Sequence, residues 1–274
     1  MSNDEFLILF ENDDIVLINK PAGVSVTADR SGADDVLRVL KRQLNPAEPL
    51  RLVHRLDKET SGVLLIAKHR DAQSRYSRLF AKRLVKKLYL AIVKGPVLKD
   101  AGTIKDPIAR SRRNPQAMHI HPRLGKPAHT IWKRLADFGG TLALLAVQTI
   151  TGRTHQIRVH CAHRGMPLAI DAMYGETTPL VLSAFKRRYR PKQDRQEPVM
   201  IDRLTLHAYQ LALPMGADEY QEYQTFVAVP DKNFLSAIKL LAKHTGPSKY
   251  VSAFEDPKIL ERIINAQPLD FLEP

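Results

Sequence analysis

Short apolar segments separated by polar turns open the chain and predict β-strands. Residues 6–10 and 15–19 are apolar and flank the polar stretch 11–14, a pattern typical of two strands joined by a turn. The stretch 20–23, Lys-Pro-Ala-Gly, ends the second strand, because proline cannot donate a hydrogen bond within a sheet and glycine permits a tight bend. The chain therefore begins with a predicted hairpin, and a short helix is expected around residues 35–43.

The next part of the chain predicts a buried strand, an amphipathic helix and a second strand. Residues 63–67 are continuously apolar, and the stretch that follows has apolar residues on one face at helical spacing. These residues are Tyr76, Leu79, Phe80 and Leu84. The other face is basic, with Arg70, Arg75, Arg78, Lys82 and Arg83. In residues 88–93 leucine or isoleucine occupies every second position, which places Tyr89 on the face opposite the leucines.

The later segments decide the predicted fold class. Residues 141–150, 207–214 and 224–230 predict strands, and a short helix is expected over residues 155–164. Two helical patterns follow in the tail: Phe234, Ile238 and Leu241 share a face of the first, and Asp256-Pro257 predicts an N-cap and first position for the second. Strands and helices mix without βαβ alternation, so we predict an α+β fold with a mixed, mostly antiparallel sheet, flanking helices and basic loops. We expect residues 1–230 to form the main domain and residues 231–274 a helical extension packed on it.

Composition excludes several classes of protein. The chain has 274 residues, of which 44% are hydrophobic, and no apolar run approaches the roughly 18 residues that a membrane span needs. Cys161 is the single cysteine, which excludes an internal disulfide framework and a cysteine-rich metal cage. The acidic N-terminal residues lack the order of a secretion signal. We therefore expect a folded cytoplasmic protein that does not insert into membranes.

The charge balance indicates a polyanionic partner. Lys and Arg total 42 against 29 Asp and Glu, which gives a net charge of +13. A field of this sign favours nucleic acid, because each neutralised phosphate releases condensed counterions. Two loops, residues 105–126 and 186–195, carry much of the basic charge. A basic surface without such a partner is the alternative that composition leaves open.

The loop of residues 54–62, His-Arg-Leu-Asp-Lys-Glu-Thr-Ser-Gly, is the first segment that could carry chemistry. It places Asp57 between basic neighbours just before a buried strand, where a rigid scaffold can hold a carboxylate. Thr60 and Ser61 can bond back to the loop, and Gly62 can adopt a conformation that other residues avoid. A purely structural turn, with no role in catalysis, would explain the same residues.

The second such segment is residues 151–160. In the predicted helix, Arg158 shares a face with His155, while Ile157 and Cys161 point toward a core. Arg158 is therefore a cation held by a short helix and suited to pair with a buried carboxylate. The alternative is a surface arginine near phosphates, and Arg153 fits that description.

These segments together resemble the RluA-type family of pseudouridine synthases over most of residues 6–230. The loop 54–62 is similar to the family signature that contains the catalytic aspartate, which implies this role for Asp57. Residues 86–91 resemble the motif that supplies an active-site tyrosine, here Tyr89, and residues 152–160 the motif whose later arginine, here Arg158, pairs with the aspartate. Stretches 20–23, 171–175 and 203–208 also match, although Ile170 stands where the family usually has glycine.

The resemblance implies an isomerase that converts uridine in structured RNA to pseudouridine. The reaction imports no group and oxidises nothing, so no cofactor and no metal is expected. The target base must be flipped out of the RNA, and Arg55 is the candidate to fill the vacated space. His54, Arg153 and His155 are further expected RNA contacts, while the two basic loops would grip phosphates and ribose hydroxyls. Residues 1–230 would be the catalytic domain.

The expected partner is a tRNA or rRNA stem-loop, bound by a monomer, with no DNA partner. Many members of the family carry a small N-terminal RNA-binding S4 domain, and we expect none before the first strand near Phe6 in this sequence. Two rival readings remain open. A catalytically idle RNA-binding module would keep its function without Asp57, and a base-removing hydrolase would release free uracil.

Overall fold

The computed structural model describes most of the chain, namely residues 5–28, 32–186, 197–215, 222–245 and 253–273. The strands are β1 (Leu7–Glu11), β2 (Ile15–Lys20), β3 (Arg51–Leu52), β4 (Ser61–Ala67), β5 (Lys86–Lys94), β6 (Ala101–Ile104), β7 (Ile108–Arg110), β8 (Met118–Ile120), β9 (Thr130–Phe138), β10 (Leu142–Thr149), β11 (Leu180–Val181), β12 (Val199–Ile201), β13 (Leu206–Pro214) and β14 (Tyr223–Val227). The helices are α1 (Val36–Leu44), α2 (Arg70–Ala81), α3 (Gln156–His163), α4 (Lys232–Thr245) and α5 (Lys258–Ile264). None of the helices in these ranges has both the length and the apolar composition needed to cross a membrane.

A ten-stranded sheet organises the fold. Its main path runs β1-β2-β4-β13-β5-β10-β9-β6, with β3 beside β4 and β14 beside β13. The pairing of β4 with β13 is parallel, and the other pairings of this sheet are antiparallel. Strands β7 and β8 form a separate hairpin, and β11 and β12 another two-stranded sheet. The predicted α+β class with a mixed, mostly antiparallel sheet is confirmed.

Helices cover both faces of the sheet because its strands are apolar on both sides. In β2, Val16 and Ile18 face the core under α1, while Ile15 and Leu17 face the core under α2. Helix α1 begins at the Asp35 cap, whose carboxylate accepts the Arg38 amide hydrogen at 3.0 Å. A strand buried on both faces cannot show polar alternation, which explains the continuous apolar runs in the sequence.

The other half of the sheet is covered by α3 on one face and by the C-terminal helices on the opposite one. Ile157 and Cys161 of α3 pack with Ala91 of β5. Phe234 and Ile238 of α4 and Ile263 of α5 share a core with the alternate residues of the same strand, Leu88 and Leu90. The face predicted for α4 is thus the one that it buries. The division into a catalytic domain and an extension at residue 230 stays a prediction.

Strands β4 and β13 approach each other more closely at Gly62 than any side chain would allow. Gly62 has a φ of +114°, and a Cβ placed on it would lie 2.1 Å from the carbonyl oxygen of Ala208. Ser61, the preceding residue, bonds through its hydroxyl to Nδ1 of His207 at 2.8 Å. Glycine is required here both by conformation and by space. The loop before β4 is therefore set directly against the start of β13.

Two details differ from the sequence-based expectations, and one predicted loop is not tested. Helix α2 ends at Ala81, because Arg83 adopts a left-handed conformation with a φ of 62°, so Leu84 lies beyond the helix. The cap position of α5 is Pro257 rather than Asp256, although the Asp256 carboxylate accepts the Lys258 amide hydrogen at 2.9 Å. Most of the basic loop predicted at 186–195 lies outside the described residues.

Candidate active site

A cleft of about 690 Å³ opens on the face of the sheet that carries α3. Its walls include the loop before β4, the end of α2 and residues 149–158 between β10 and α3. The basic residues that line it are Arg55, Arg83, Lys87, Arg110, Arg153 and Arg158. Asp57 is the single acidic residue among the described residues that line the cleft. This volume lies within the range of small-molecule and cofactor pockets, about 300–1,000 Å³.

The loop that carries Asp57 is fixed by its own turn and by a buried lysine. The Thr60 amide donates to the Asp57 carbonyl at 3.1 Å, and Leu56 and Thr60 are buried. Behind the loop, the fully buried ammonium of Lys20 donates to the carbonyls of Pro21, Val24 and Lys58 at 2.8–2.9 Å. Burial lowers the pKa of Lys20 to about 7, although the charges of Glu59 and Asp57 oppose that shift. Lys20 therefore ties the turn after β2 to the Asp57 loop.

Arg158 joins two carboxylates. Its Nε and Nη2 donate to the two oxygens of Asp171 at 2.8 and 2.7 Å, and Nη1 donates to Oδ2 of Asp57 at 3.2 Å. The Asp171 side chain is 1% exposed and that of Arg158 10%, whereas the Asp57 side chain is 26% exposed to the cleft. The guanidinium is thus held from behind by a buried pair and presents its remaining edge to Asp57. This bidentate arrangement fixes its orientation as well as its charge.

The pKa shifts of this pair follow from competition between burial and charge. Burial disfavours the ionised form of each group, but the hydrogen bonds and charge of its partner outweigh it. The pKa of Arg158 is therefore raised and that of Asp171 is held below its usual range. Both groups are charged at neutral pH, and Asp57 has a permanent cation beside it.

The start of α3 is shaped by a buried glutamine. Gln156 accepts from the Thr151 hydroxyl and the Arg153 amide, and it donates to the carbonyl of His129 and the hydroxyl of Thr130. These contacts, at 2.7–3.0 Å, use the full capacity of the side-chain amide. Just before it, His155 takes a left-handed conformation with a φ of 52°. The turn therefore directs His155 into the cleft while Arg158, one turn later, reaches Asp57.

His155 lies between Asp57 and a tyrosine. Its Nε2 is 3.8 Å from Oδ1 of Asp57, and its Nδ1 is 2.8 Å from the hydroxyl of Tyr174. The same hydroxyl accepts the amide hydrogen of Met118 in β8 at 2.7 Å. Burial lowers the pKa of His155; the nearby Asp57 opposes this shift and Arg158 reinforces it. His155 is therefore neutral at pH 7.

Tyr89 projects from β5 toward the same cleft. Its ring packs against the apolar cores under α1 and α3. Burial and the charge of Asp57 raise the pKa of Tyr89 to about 12, while a hydrogen bond with Thr149 acts in the opposite direction. The phenol is therefore protonated at neutral pH. It can donate a hydrogen bond or hold a planar base against its ring, but it is a poor base in this state.

The three remaining sequence-predicted residues, His54, Arg55 and Arg153, also line the cleft but differ in their surroundings. The ring of His54 stacks on Phe80 at 4.6 Å, its Nε2 accepts the amide hydrogen of Leu65, and burial lowers its pKa to about 3. This histidine is neutral, and its Nε2 is already occupied by a hydrogen bond from strand β4. Arg55 is exposed at the mouth, while Arg153 is half-buried and donates through Nε to the Pro127 carbonyl. The RNA contacts predicted for His54, Arg55, Arg153 and His155 stay predictions.

Sequence reasoning left three residues in or behind the cleft without a role. Asp171 and Tyr174 lie in a stretch that matched the family, but no spacing rule links them to Arg158 and His155. Lys87 lines the cleft, has a pKa lowered to about 8 by burial, and has no acidic partner among the described residues. A lysine two residues before Tyr89 on the same strand face was the available signal for it.

Histidine and acidic residues are not grouped for metal binding in the described part of the chain. There, no cluster of three or more His, Cys, Asp or Glu residues is arranged to hold an ion. His160 illustrates why, because both of its ring nitrogens are used, by the Thr130 hydroxyl and the Asp106 carbonyl, each at 2.9 Å. This histidine supports the fold around α3.

Comparison with known proteins connects this cleft to a family. A family model described as RNA pseudouridylate synthase matches residues 14–163, which include Asp57, Tyr89 and Arg158. Ribosomal large subunit pseudouridine synthase C of Vibrio parahaemolyticus is 35% identical over 222 residues, which is 80% of this chain and 64% of that protein. Ribosomal large subunit pseudouridine synthase D of Nitrosomonas europaea is 39% identical over 212 residues, 75% of this chain and 57% of that protein.

A solved structure shares the fold over nearly the whole length. Human RNA pseudouridylate synthase domain containing 1 aligns with a TM-score of 0.66 and 27% identity, covering 98% of each chain. The curated bacterial relatives are longer, and the match spans 64% and 57% of the two compared above.

Proposed function

The chain belongs to the RNA pseudouridylate synthase family, and on this premise we propose that it isomerises uridine in RNA to pseudouridine with Asp57 as its catalytic carboxylate. One observation carries the assignment of Asp57. Its partly exposed carboxylate faces a basic cleft, with the Arg158 guanidinium at 3.2 Å and Tyr89 lining the same cleft. The names of the two curated relatives described above specify the ribosomal large subunit, and a tRNA or rRNA stem-loop is the target class that we propose.

The proposed chemistry moves one bond within the nucleotide. The bond from ribose C1′ to uracil N1 breaks, the base turns, and C1′ joins uracil C5. The hydrogen on C5 leaves as a proton and N1 gains a proton, so the mass of the RNA is unchanged. Asp57 acts on the nucleotide, either by attacking a carbon or by removing a ribose proton, and both routes need an ionised carboxylate. Arg158 supplies the opposite charge and holds the orientation.

The other cleft residues then have defined parts. Tyr89, protonated because its pKa is about 12, packs against the displaced uracil and donates its hydroxyl hydrogen. Arg55, exposed at the mouth, enters the space that the flipped base leaves in the RNA. The basic residues of the β7–β8 hairpin region, Arg110, Arg112, Arg113, Arg123 and Lys126, are exposed and bind phosphates. We propose that the protein acts as a cytoplasmic monomer without a metal or other cofactor.

The experiment compares the wild-type chain with Asp57→Asn on transcripts of large-subunit rRNA and tRNA labelled with tritium at uracil C5. Wild type should release tritium and form pseudouridine, whereas Asp57→Asn should lose at least about 10³-fold in rate, the loss expected when an acting group is removed. RNA affinity should change little. Asp34→Asn, an exposed carboxylate near α1, is the matched control and should retain full activity.

Two outcomes would contradict the proposal. Appreciable turnover by Asp57→Asn would remove Asp57 from the chemistry. Free uracil in the products would show that the base is removed by hydrolysis instead of being rejoined through C5. Unchanged RNA mass with pseudouridine in the digest would support isomerisation.

A further inference from the structure

A chain of hydrogen-bonded groups connects the β7–β8 hairpin to the carboxylate of Asp57. The amide hydrogen of Met118 is donated to the Tyr174 hydroxyl at 2.7 Å, and this hydroxyl contacts Nδ1 of His155 at 2.8 Å. On the other side of the ring, Nε2 of His155 is 3.8 Å from Oδ1 of Asp57. Neither the sequence motifs nor the compared proteins assign a part to Tyr174.

The tautomer of His155 follows from the number of protons available. The Met118 amide can only donate, so the Tyr174 oxygen accepts from it and retains its single hydroxyl proton for another group. Among the described residues, Nδ1 of His155 is the acceptor within reach of that proton. Burial keeps His155 neutral, and a neutral ring that accepts at Nδ1 carries its proton on Nε2.

The Asp57 end of the ring leads to the same tautomer. A carboxylate has only acceptor oxygens, so a lone pair on Nε2 beside Oδ1 would be repelled, whereas an N–H is attracted. The distance of 3.8 Å is longer than a hydrogen bond, and hydrogen bonds in a catalytic site commonly shorten when substrate fills it. Two independent contacts of one ring therefore place the proton on Nε2.

The position of Tyr174 is itself set by the residue that holds Arg158. Oδ1 of Asp171 accepts the amide hydrogens of Met173 and Tyr174 at 2.9 and 3.2 Å, which forms the turn that presents the tyrosine. The Tyr174 ring also lies 5.1 Å from the Arg158 guanidinium carbon. One buried carboxylate thus orients both groups that lead to Asp57, through Arg158 on one side and through Tyr174 and His155 on the other.

We propose that Tyr174 is a positioning residue that holds neutral His155 with its Nε2–H toward Asp57 and so links the β7–β8 hairpin to the catalytic carboxylate. The proposal rests on the proposed function for its effect on catalysis, but the tautomer is a property of the free protein. Met118 pairs with Arg110, whose side chain lines the cleft, so RNA held by the hairpin acts on a strand bonded directly to Tyr174. Asp57 then has a donor on each of its two oxygens when the cleft is occupied.

The first test measures the tautomer by ¹⁵N NMR of the His155 ring in the wild-type chain, without RNA. The expected spectrum has a protonated Nε2 and an unprotonated Nδ1 near neutral pH. The reverse assignment, or a charged ring, would overturn the proposal without any variant. In Tyr174→Phe the Nδ1–H tautomer should gain population, because the hydroxyl that donated to Nδ1 is absent.

The second test measures single-turnover rate and RNA affinity separately for Tyr174→Phe. This substitution keeps the ring beside Arg158 and removes only the hydroxyl. We expect the rate to fall at least about tenfold, the scale on which a misplaced catalytic group loses activity, with an unchanged Kd for the same transcripts. Tyr209→Phe is the matched control: it also removes a buried hydroxyl, which bonds to the carbonyls of Arg262 and Gln267, and its rate should stay within about twofold of wild type.

A double-variant comparison separates action through His155 from a general loosening of the fold. In a His155→Ala background, Tyr174→Phe should cause no further loss of rate if it acts through the imidazole. A second tenfold loss in that background, or an equal loss in Tyr209→Phe, would overturn the proposal. Full activity of Tyr174→Phe would do the same. Failure of the wild type to form pseudouridine would instead reject the proposed function and leave the NMR result to decide the tautomer.

Discussion

Two sets of cross-strand neighbours lie side by side at the centre of the sheet, and their side chains point to opposite faces. We call these the cleft face, which carries the cleft, and the tail face, which is covered by the C-terminal segment. In one set Tyr89 of β5 is paired with Ala208 of β13 and faces the cleft. In the other set, one residue earlier in β5, Leu88 is flanked by Gln148 and Gln210, and this set faces the C-terminal helices. Buried polar groups lie on both faces, but they differ in charge and in what they bind.

On the tail face the polar groups are neutral and paired with the backbone. The Gln210 side chain both donates to the carbonyl of Leu269 and accepts its amide hydrogen, at 2.7 and 2.8 Å. Gln148 accepts the amide hydrogen of Leu272 at 2.8 Å. On the cleft face the groups are ionic, and the Asp57 carboxylate remains partly exposed. Neutral amides paired with the backbone are suited to hold the C-terminal segment on the sheet. In the cleft, the buried ion pair instead holds a charged group in place while the Asp57 carboxylate stays accessible for chemistry.

The largest effect is expected from breaking the buried ion pair of the cleft face. Asp171→Asn removes the charge that holds Arg158 and should lower the free energy of unfolding by about 3 kcal/mol, since a buried charge loses its partner. The rate of pseudouridine formation should fall at least about tenfold, because the guanidinium is no longer oriented toward Asp57. Chemical denaturation and single-turnover kinetics measure the two effects.

An exposed ion pair provides the control for this change. Asp100 pairs with Arg134 at 2.6 Å, but the Asp100 side chain is 76% exposed. Asp100→Asn should cost less than about 1 kcal/mol and leave the rate unchanged. Equal stability losses for the two asparagine variants would mean that burial does not distinguish the pairs.

The next effect concerns the tail face, where stability and activity should separate. Gln210→Ala leaves the amide and carbonyl of Leu269 without their partner and should lower the free energy of unfolding by about 2 kcal/mol. Well below the unfolding temperature its single-turnover rate should remain within about twofold of wild type. Gln73→Ala, which removes one half-buried hydrogen bond to the Leu52 carbonyl, is the control and should cost less. A tenfold loss of rate in Gln210→Ala would show that the two faces are coupled.

A smaller effect on the free energy of unfolding is expected from pH. It arises from His207, which belongs neither to the ionic groups of the cleft face nor to the amides of the tail face. Burial lowers the pKa of His207 from 6.5 to about 4, so the unfolded chain binds a proton there at higher pH than the folded one. Its contribution to stability is therefore complete above about pH 6.5 and is lost as the pH falls toward 4. Between pH 7 and pH 5 this amounts to about 2 kcal/mol.

The pH dependence is checked by denaturation of the wild type and of His207→Gln. The glutamine variant should be less stable at pH 7 but should show a shallower decrease on acidification, because it has one fewer group to protonate. An identical slope in the two proteins would assign the acid sensitivity to other groups, among them His54, whose pKa is about 3.

The sequence was sufficient for features that depend on local pattern. Alternation in β5 predicted that Tyr89 faces away from the leucines, and helical spacing predicted that Arg158 lies opposite Ile157 and Cys161. The position at which α2 ends was not predicted, because Arg83 takes a left-handed conformation that an arginine rarely adopts. No glycine or proline nearby indicates a helix end. The conformational preferences of the residues in this stretch therefore do not predict the turn.

The supporting groups of the site could not be predicted for a different reason. Asp171 meets Arg158, and Tyr174 meets His155 and Met118, only after α3, β8 and the turn after residue 170 have packed together. That turn forms with Ile170 in place of the usual glycine, since Ile170 is buried and its amide donates to the Thr205 hydroxyl. Likewise, in the sequence Gln148 and Gln210 are only polar residues within apolar strands. Their role depends on the backbone of the C-terminal segment, which packs against them in the folded protein.

The contact between Gly62 and Ala208 has a consequence for the order in which the protein can assemble. The two residues are joined in a parallel pair although most of the chain lies between them, and such distant partners are slow to meet. While β13 has not yet been synthesised, the nascent chain lacks the backbone against which the Asp57 loop packs. The Asp57 loop can therefore take its final position only after β13 has been synthesised and has paired with β4.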